Sequence, residues 1–535
     1  MNTIAKKLLG LASILLLPIL AIAQEPMGLD QKIDRAFGSA TGWFVEFIFY
    51  QIPFTENISV YWVLFPLILG AMYFTIYFNL INFRGFFTAI RIVQGKYDDL
   101  EPSGHVDVSP SEFTGEEDNP DTIRVEGSHE GEVSHFQALT AALSATVGLG
   151  NIAGVAIAIS IGGAGATFWM IVAGFLGMAS KFTECTLGVK YRDIGPDGTV
   201  YGGPMYYLSK GLKLNGQEGL GKVLAIMFAI FCIGGSFGGG NMFQVNQAFQ
   251  LVENITGGDA SFIHGKGWLF GLVMAVLVGI VIIGGIKSIA KVTDKIVPFM
   301  VAIYVGAAMF VLIAKFGQIP SAFAEIWNGA FSPVGIAGGA VGVLIQGFRR
   351  AAFSNEAGIG SAAIAHSAVK TSHPASEGMV ALLEPFIDTV VVCTMTALVL
   401  IITGSITPET AGMNDAQAIL LTSGAFESVI SWFPYVLTLA VVLFAFSTMI
   451  SWSYYGFQAW SYLFGRTKKT EYTYKIIFCL FVIVGAAASL GSVIGFSDAM
   501  IFAMMVPNMV GLIFLAPKVK EELNKYMAAI KGRKG

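Results

Sequence analysis

Two segments of the chain combine glycine with small polar residues inside long apolar stretches: Gly148–Asn151 and Asn355–Gly360. A helix that is interrupted at membrane depth leaves backbone N–H and C=O groups unpaired, which is costly in hydrocarbon unless those groups bind something or are covered by protein. Freed carbonyl oxygens suit a hard cation such as sodium, and helix ends suit the charged groups of an amino acid. The two segments therefore predict a joint site for an ion and a zwitterion.

The first segment carries the stronger signal. Gly148 and Gly150 are its predicted interruption, while Thr146 and Asn151 supply polar groups that simple helix packing does not require. Close contact between helices is the alternative role for such glycines, and many of the 63 glycines in the chain must serve it. Ser354 precedes the second interruption directly and is a candidate substrate ligand, with a hydrogen bond between helices as the alternative.

Hydroxyl and amide side chains in other apolar stretches complete the candidate set. Ser447 and Thr448 are adjacent and offer oxygens to sodium, although hydroxyls in membranes commonly bond their own helix or a neighbouring one. Gln244 and Asn355 are candidate substrate ligands, with hydrogen bonds between helices as the alternative. Trp452 lies about one helical turn after Thr448 and would wall the substrate pocket.

Charged residues inside apolar stretches need partners or a function. We expect Arg350 and Glu356 to form a buried ion pair that braces the second interrupted helix. Lys181 is close enough to a helix end to extend its ammonium group to the membrane surface. The histidines are too few along these stretches to indicate a proton relay. The other charged residues of this kind are Arg349, Glu184, Glu384 and Asp388.

The composition indicates that a lipid bilayer surrounds the elements that hold these residues. Of 535 residues, 54% are apolar and 13% are charged, and the mean hydropathy of +0.67 excludes a single water-soluble core. The pI of 5.9 and formal charge of −4 give no basic surface for nucleic acid. The four cysteines lie in apolar stretches without metal-ligand spacing.

We predict an all-α membrane protein of about eleven transmembrane helices. The first span lies near Val60–Ile81, and ten more fit residues 136–161, 165–189, 223–251, 268–285, 292–314, 335–365, 378–403, 429–461, 473–489 and 494–516. The interruptions fall in the second and seventh spans. An offset of five gives the two blocks opposite orientations, which predicts an inverted repeat.

The segments outside the repeat are predicted from charge and length. Residues 1–23 have the pattern of a cleaved signal peptide, with an uncleaved anchor as the alternative. Residues 97–134 carry twelve acids against one base and indicate a solvated loop. Lysine and arginine counts of four outside and 21 inside place the mature N-terminus in the periplasm and the C-terminus in the cytoplasm of a bacterial inner membrane.

The resulting division of the chain has five parts. They are the signal peptide (1–23), an N-terminal segment with an interfacial helix, the first span and the acidic cytoplasmic loop (24–135), a first repeat (136–316), a second repeat (317–516) and a basic tail (517–535).

Several ordered blocks resemble the alanine or glycine:cation symporter family, also called sodium:alanine symporters. The blocks are Gly150–Val155, Gly162–Gly174, Lys181–Cys185, Tyr201–Tyr207, Gly347–Arg350, Phe353–Ser361 and Ile387–Thr389. The resemblance implies a fold similar to the bacterial leucine transporter, with one extra N-terminal helix before a five-plus-five inverted repeat. It also implies sodium-coupled symport of a small neutral amino acid, such as alanine, glycine or serine.

The same resemblance assigns site residues. By likeness to the unwound first core helix of the leucine transporter, Ser144 and Val147 would lend carbonyl oxygens to a sodium ion that Ser447 and Thr448 also bind. Thr146, Gly148, Gly150 and Asn151 would face the substrate, with Asn151 also reaching sodium. Gln244 matches the Gly-Asn-Met-x-Gln block of the family, and Trp452 matches its aromatic residue near the pocket.

Other functional classes are weaker alternatives. Proton coupling in place of sodium is the main one, and an ion channel is less favoured because charged pore rings are lacking. A membrane enzyme would need a nucleophile with its base or a metal cluster, and the sequence contains no such motif. We expect the partners to be sodium, a small neutral amino acid and the lipid bilayer, with no nucleic acid and no obligate protein partner.

Overall fold

The chain folds mainly into helices. The computed structural model describes residues 29–55, 58–100, 131–195, 199–331, 339–407 and 418–533. Over these ranges the strands form two short antiparallel hairpins, β1 (Gln51–Thr55) with β2 (Ile58–Tyr61) and β3 (Asp193–Ile194) with β4 (Val200–Tyr201). The predicted all-α class is confirmed.

The longer helices are numbered in chain order. They are α1 (Leu29–Ile48), α2 (Leu64–Tyr77), α3 (Ile81–Arg84), α4 (Phe86–Val93), α5 (His135–Thr146), α6 (Ala153–Gly162), α7 (Ala166–Lys190), α8 (Glu218–Ile255), α9 (Gly267–Ile282), α10 (Gly285–Ala314), α11 (Ile319–Phe331), α12 (Gly339–Asn355), α13 (Ala362–His366), α14 (Pro374–Ile402), α15 (Ala418–Glu427), α16 (Phe433–Phe464), α17 (Lys468–Ala487) and α18 (Leu490–Gly532). Short turns of helix lie at Asp98–Leu100, Leu149–Asn151, Pro204–Tyr206, Tyr207–Gly211, Leu212–Leu214, Gly258–Ala260 and Phe316–Gln318. Helices α8 and α14 each contain a π-helical stretch, at Gly238–Met242 and Phe386–Cys393.

Seven of the described helices are long and apolar enough to cross a membrane: α7, α8, α10, α14, α16, α17 and α18. The pair α5 and α6 passes the same test as one span bent by 57°. The remaining predicted spans correspond to the shorter helices α2 and α9 and to the pair α12 and α13. The count of eleven and the inverted repeat therefore stay predictions.

The first span is shorter than predicted. Val60 and Tyr61, expected at its start, pair with β1 in a hairpin, and α2 is helical over 14 residues only. Helix α1 forms where an interfacial helix was expected, and it packs on α18, with the rings of Phe37 and Phe496 5.1 Å apart. The signal peptide and most of the acidic loop, residues 101–130, lie outside the described residues.

Local sequence signals account for the starts of several helices. Ser134 caps α5, because its hydroxyl accepts from the amide of Gln137 at 3.2 Å while the Gln137 side chain accepts from the Ser134 amide at 3.1 Å. Thr467 caps α17 in a similar way, and α14 begins with Pro374, whose missing N–H costs nothing in a first turn.

Close helix packing depends on small residues. Gly378 on α14 faces α7, and a Cβ atom there would lie 2.0 Å from the Thr186 hydroxyl and 2.7 Å from the Phe182 carbonyl oxygen. Gly378→Ala is therefore expected to lower the free energy of unfolding by about 1–3 kcal/mol. The thermal unfolding midpoint in detergent measures this effect. Gly306→Ala on α10, which meets open space, is the control; equal midpoints for the two variants would contradict the prediction.

Candidate functional site

Helix α5 ends at Thr146, and α6 begins only at Ala153. Between them the backbone leaves the helical region at Val147, where ψ is 88°, and extends fully at Gly148 before a single turn over Leu149–Asn151. The Asn151 side chain accepts from the Gly148 amide at 2.8 Å and so pairs one of the groups that the break frees. The predicted interruption is confirmed.

The second break joins α12 to α13. Glu356, Gly358 and Gly360 all have positive φ, at 55°, 81° and 97°, so the chain cannot continue as a right-handed helix. Glycine adopts this conformation without strain, whereas Glu356 is held there at a cost. Three contacts hold it: its carboxylate accepts from the Trp452 indole at 3.1 Å and from Ser361, and its amide donates to Ala352.

The two breaks meet at a cluster of buried polar side chains. The amide nitrogen of Asn151 donates to Ser354 at 3.0 Å and to Asp388 at 2.6 Å, and the Ser354 hydroxyl donates to the other Asp388 oxygen at 2.8 Å. Asp388 also accepts from Thr389 at 2.7 Å. All four side chains are buried, and Asp388 is fully so. An acidic side chain therefore lies between the two interrupted helices.

A second group of oxygens joins α5 to α16. The Thr448 hydroxyl donates to the Ser144 carbonyl at 2.9 Å, and the Ser144 hydroxyl donates to the Ser447 carbonyl at the same distance. Ser451 reaches the Ser144 hydroxyl at 3.0 Å. The Ser447 hydroxyl bonds its own helix at Phe444, as hydroxyls in membrane helices commonly do. Carbonyl and hydroxyl oxygens of the kind that sodium prefers thus converge at the end of α5.

Gly148 lies between these two groups. A Cβ atom at this position would come within 2.7 Å of the Thr448 hydroxyl and 3.3 Å of the Gln244 side-chain oxygen. That Gln244 oxygen faces the Leu149 amide at 3.4 Å, and its amide nitrogen donates to Gly239 in the π-helical stretch of α8. The structure therefore brings α8 and α16 onto the first break, as the choice of Gln244 and Thr448 predicted.

Two predicted residues are close to the breaks but have structural contacts. Thr146 bonds Ala142 of its own helix at 3.2 Å. Asn355 donates to Thr389 at 2.9 Å and accepts from the Ala357 amide at 3.0 Å, so its side chain ties the second break together. Gly150 lies against Ser354: a Cβ atom added at Gly150 would be 3.4 Å from the Cα atom of Ser354. The two breaks therefore approach each other closely.

Trp452 braces the second break. It is buried against Gly240 of α8, where a Cβ atom would lie 2.2 Å from the indole, and it donates to Glu356. The ion pair expected between Arg350 and Glu356 is replaced by other contacts, since Arg350 lies 3.5 Å from Asp498 of α18. The physical reason is the break itself: the left-handed turn at Glu356 directs its carboxylate to α16.

Asp388 and Thr389 were not singled out as ligands from the sequence. Asp388 was noted only as a charge within a span, and its side chain reaches the site because α14 widens into a π-helical stretch at Phe386–Cys393. Such stretches in helices are frequently found at functional sites. An acidic residue among apolar neighbours was the available signal.

The chemistry open to this site is binding. Among the described residues there is no group of three or more His, Cys, Asp and Glu side chains that would hold a transition metal. The site instead offers one carboxylate, hydroxyls, amides and main-chain oxygens from two interrupted helices. These are ligands for an alkali cation and for the charged ends of a small zwitterion.

Comparison with a solved structure supports the fold. The chain is similar to MhsT in complex with L-phenylalanine, with a TM-score of 0.53 and 16% identity over 75% of this chain and 100% of that one. The leucine-transporter-like fold is thereby confirmed. Interrupted helices that meet inside a helix bundle are a general feature of secondary transporters.

Sequence comparison names the family. The model of the sodium:alanine symporter family matches residues 119–535, and the chain belongs to this family. A sodium/alanine symporter, AgcS, of Methanococcus maripaludis is 43% identical over 74% of this chain and 85% of its own length. A probable sodium/glutamine symporter, GlnT, of Bacillus subtilis is 34% identical over 74% of this chain and 78% of its own length. The protein is a transporter and not an enzyme.

Proposed function

We propose that the protein couples the uptake of a small neutral amino acid, alanine foremost, to the entry of sodium by alternating access. The observation that carries the proposal is the meeting of two interrupted helices around buried oxygens, with Asp388 between them. Membership of the sodium:alanine symporter family supports it. One relative is named for alanine and another, a probable symporter, for glutamine, so both amino acids belong in the test.

Sodium would occupy two neighbouring sets of oxygens in this proposal. Ser144, Val147, Ser447 and Thr448 would hold one ion with main-chain and hydroxyl oxygens. Asp388 would hold a second, together with the Ser354 hydroxyl, because a fully buried carboxylate is stabilised by a cation beside it. The Asn151 side chain, whose nitrogen bonds the same carboxylate, would position it.

The substrate would lie against the first break. Gly148 and Gly150 leave the backbone uncovered there, and Gln244 reaches the same turn. Thr146 and Asn355 would position the ends of the helices, and Trp452 would close one side through its bond to Glu356. Gly148 keeps this place free, since a Cβ atom there would lie 2.7 Å from the Thr448 hydroxyl.

Alternating access explains why the two ligands bind together. If sodium orders the first break, it prepares the helix ends that bind the amino acid, and the amino acid must raise the affinity for sodium by the same factor. In the proposed orientation the Lys- and Arg-rich connections face the cytoplasm of a bacterial cell, so sodium moving down its gradient drives uptake.

Uptake into vesicles tests the proposal. Purified protein is reconstituted, and labelled alanine, glycine, serine and glutamine are supplied with an inward sodium gradient or an equal potassium gradient. We expect saturable uptake of alanine in sodium and background uptake in potassium. Equal uptake in the two salts, or no uptake of any small amino acid, would reject sodium symport.

The hydroxyls of α16 give a more local prediction. Ser447→Ala combined with Thr448→Ala is expected to raise the sodium concentration for half-maximal uptake by about thirtyfold, since two lost ligands together remove on the order of 2 kcal/mol. The yield of monodisperse protein should change little. Ser453→Ala is the matched control, because Ser453 is buried on the same helix and bonds only Ile450 among the contacts described for it. Unchanged sodium dependence in the double variant would exclude this site.

Proton coupling is the second candidate function, and Asp388 favours it specifically. A buried carboxylate can be neutralised by a proton as well as by sodium. The two functions differ in driving force. If the protein were proton-coupled, a proton gradient alone would concentrate alanine in sodium-free vesicles. We expect no accumulation of alanine under that condition.

A further inference from the structure

A chain of buried charged and titratable side chains lies away from the ligand site, at the end of the bundle where α5 begins and α13 ends. His366, the last residue of α13, contacts Glu377 through Nδ1 at 2.5 Å and Glu384 through Nε2. Glu384 forms an ion pair with Lys181 of α7 at 2.9 Å. All four side chains are fully buried. The expectation that Lys181 extends its ammonium group to the membrane surface is wrong, because the side chain is buried in this ion pair.

Counting hydrogens shows that this cluster holds a proton. Each imidazole nitrogen of His366 faces a carboxylate oxygen, and each such contact needs one hydrogen between the two heavy atoms. A neutral imidazole supplies one hydrogen, and two ionised carboxylates supply none. One additional proton must therefore be bound by the Glu377–His366–Glu384 triad. With it, the triad and Lys181 together are electrically neutral.

A route for this proton leads outward through α5. Glu377 also contacts Nδ1 of His135, the first residue of α5, and the side chain of His135 is 12% exposed. The proton can therefore exchange between the triad and water through His135 and Glu377, both of which accept and donate it.

The same contacts tie together helices that must separate if this end of the bundle opens. His135 fixes the start of α5 to α14, and His366 fixes the end of α13 to the same helix. Beside them, the segments before α5 and after α13 pair through their backbones, since Lys370 donates to Val133 at 2.8 Å and Glu132 donates to Ala368 at 2.7 Å. Both interrupted helices are thus held at one end by a proton-dependent contact.

We propose that the Glu377–His366–Glu384 triad is a regulatory proton-binding site, which holds this end of the transporter closed when loaded and allows it to open when the proton leaves. Loss of the proton would leave one imidazole lone pair facing a carboxylate oxygen inside the protein, and that arrangement is repulsive. The inference rests on the proposed alternating access, and acid on the face that His135 meets would slow opening.

Other ionisable groups from the neighbouring elements surround the triad and contribute to the charge around its proton. They are His135 of α5, Lys181, Glu184 and Cys185 of α7, Arg192 after α7, Glu356 before α13, and Tyr455 of α16. Arg192 donates to the carbonyls of Ser367 and Thr371, so its charge is held by the backbone next to His366. Glu184 accepts from Asn508 of α18 at 3.2 Å.

A cysteine placed behind the closed end reports its opening. Ala138 of α5 is fully buried there, in a cluster with Val133 and Val369. Ala138→Cys in a Cys479→Ser background is reacted with a maleimide in detergent between about pH 6 and about pH 8, and its rate is divided by that of free cysteine at each pH. We expect the ratio to rise about tenfold with pH, as for one titrating site.

Two variants remove the titration. His366→Gln replaces the imidazole by an amide that does not titrate, and in Glu377→Gln a neutral imidazole satisfies both neighbours, so that the contacts are kept. Each should give a rate ratio that is constant with pH. His373→Gln is the control, because it makes the same substitution at the residue directly before α14. It should keep the wild-type dependence of the rate ratio on pH. Size-exclusion chromatography shows which variants are folded, and one folded triad variant is enough for the test.

The outcomes are decisive in both directions. A wild-type ratio that is flat with pH, or a pH response retained in a folded His366→Gln or Glu377→Gln variant, would overturn the proton site. The readout requires neither sodium nor alanine, so its failure is distinguishable from failure of the proposed symport, which the vesicle assay tests.

Discussion

Asp388→Asn is expected to lower sodium-driven alanine uptake by about a hundredfold. The carboxylate is fully buried between the two breaks and supplies the one acidic group in contact with both Asn151 and Ser354 among the described residues. Losing a charged ligand of a buried cation costs about 3 kcal/mol, which corresponds to this factor. Initial uptake rates in vesicles, measured across sodium concentrations, give the result.

Folding of this variant should be preserved. The amide oxygen can keep the bond from Asn151, and the amide nitrogen then faces the hydroxyls of Ser354 and Thr389, which can rotate to accept. Asp294→Asn is the matched control, since Asp294 accepts from Gln137 and Thr140 of α5 outside the site. Uptake by Asp388→Asn within about threefold of wild type would show that the carboxylate holds no transported cation.

Gly148→Ala is expected to abolish measurable uptake, because its methyl group would displace the Thr448 hydroxyl. That hydroxyl lies 2.7 Å from the added carbon and would lose its bond to the Ser144 carbonyl. The contact with Gln244 at 3.3 Å restricts movement in the other direction. Both proposed ligand sets change at once, so sodium and alanine binding by the purified protein should weaken together, each by about tenfold or more.

Gly154→Ala is the control for Gly148→Ala. Gly154 lies on α6, six residues after Gly148, and a Cβ atom added there would have no neighbouring atom within 4 Å. Its helix should be slightly stabilised, because alanine has the higher helix propensity. Similar loss of uptake in both variants would mean that helix substitutions in general, and not the filled site, cause the defect.

The two interruptions were predictable because their cause is local. Glycine next to a small polar residue inside an apolar run weakens a helix wherever it folds, and the positive φ values at Gly358 and Gly360 require that residue type. Ser447 and Thr448 could be named as candidates but not assigned from the sequence, because hydroxyls in a span commonly bond a helix backbone, as the Ser447 hydroxyl bonds Phe444. Their partner, the carbonyl of Ser144, came from resemblance to a known family.

The contacts of the charged residues were not predictable in the same way. Which partner Arg350 or Glu356 takes depends on the direction of a left-handed turn and on the neighbouring helices, and neither is written in residue spacing. The histidines were set aside because they are few. Two of them, His135 and His366, are 231 positions apart in sequence yet contact the same carboxylate, Glu377, because the start of α5 lies beside the end of α13.

Binding of labelled alanine to the purified protein, titrated in sodium and in potassium, tests most directly whether both interrupted helices hold cation and amino acid together. We predict that sodium raises the affinity for alanine by at least about tenfold, and that alanine raises the affinity for sodium by the same factor. Identical alanine affinity in the two salts would contradict the account.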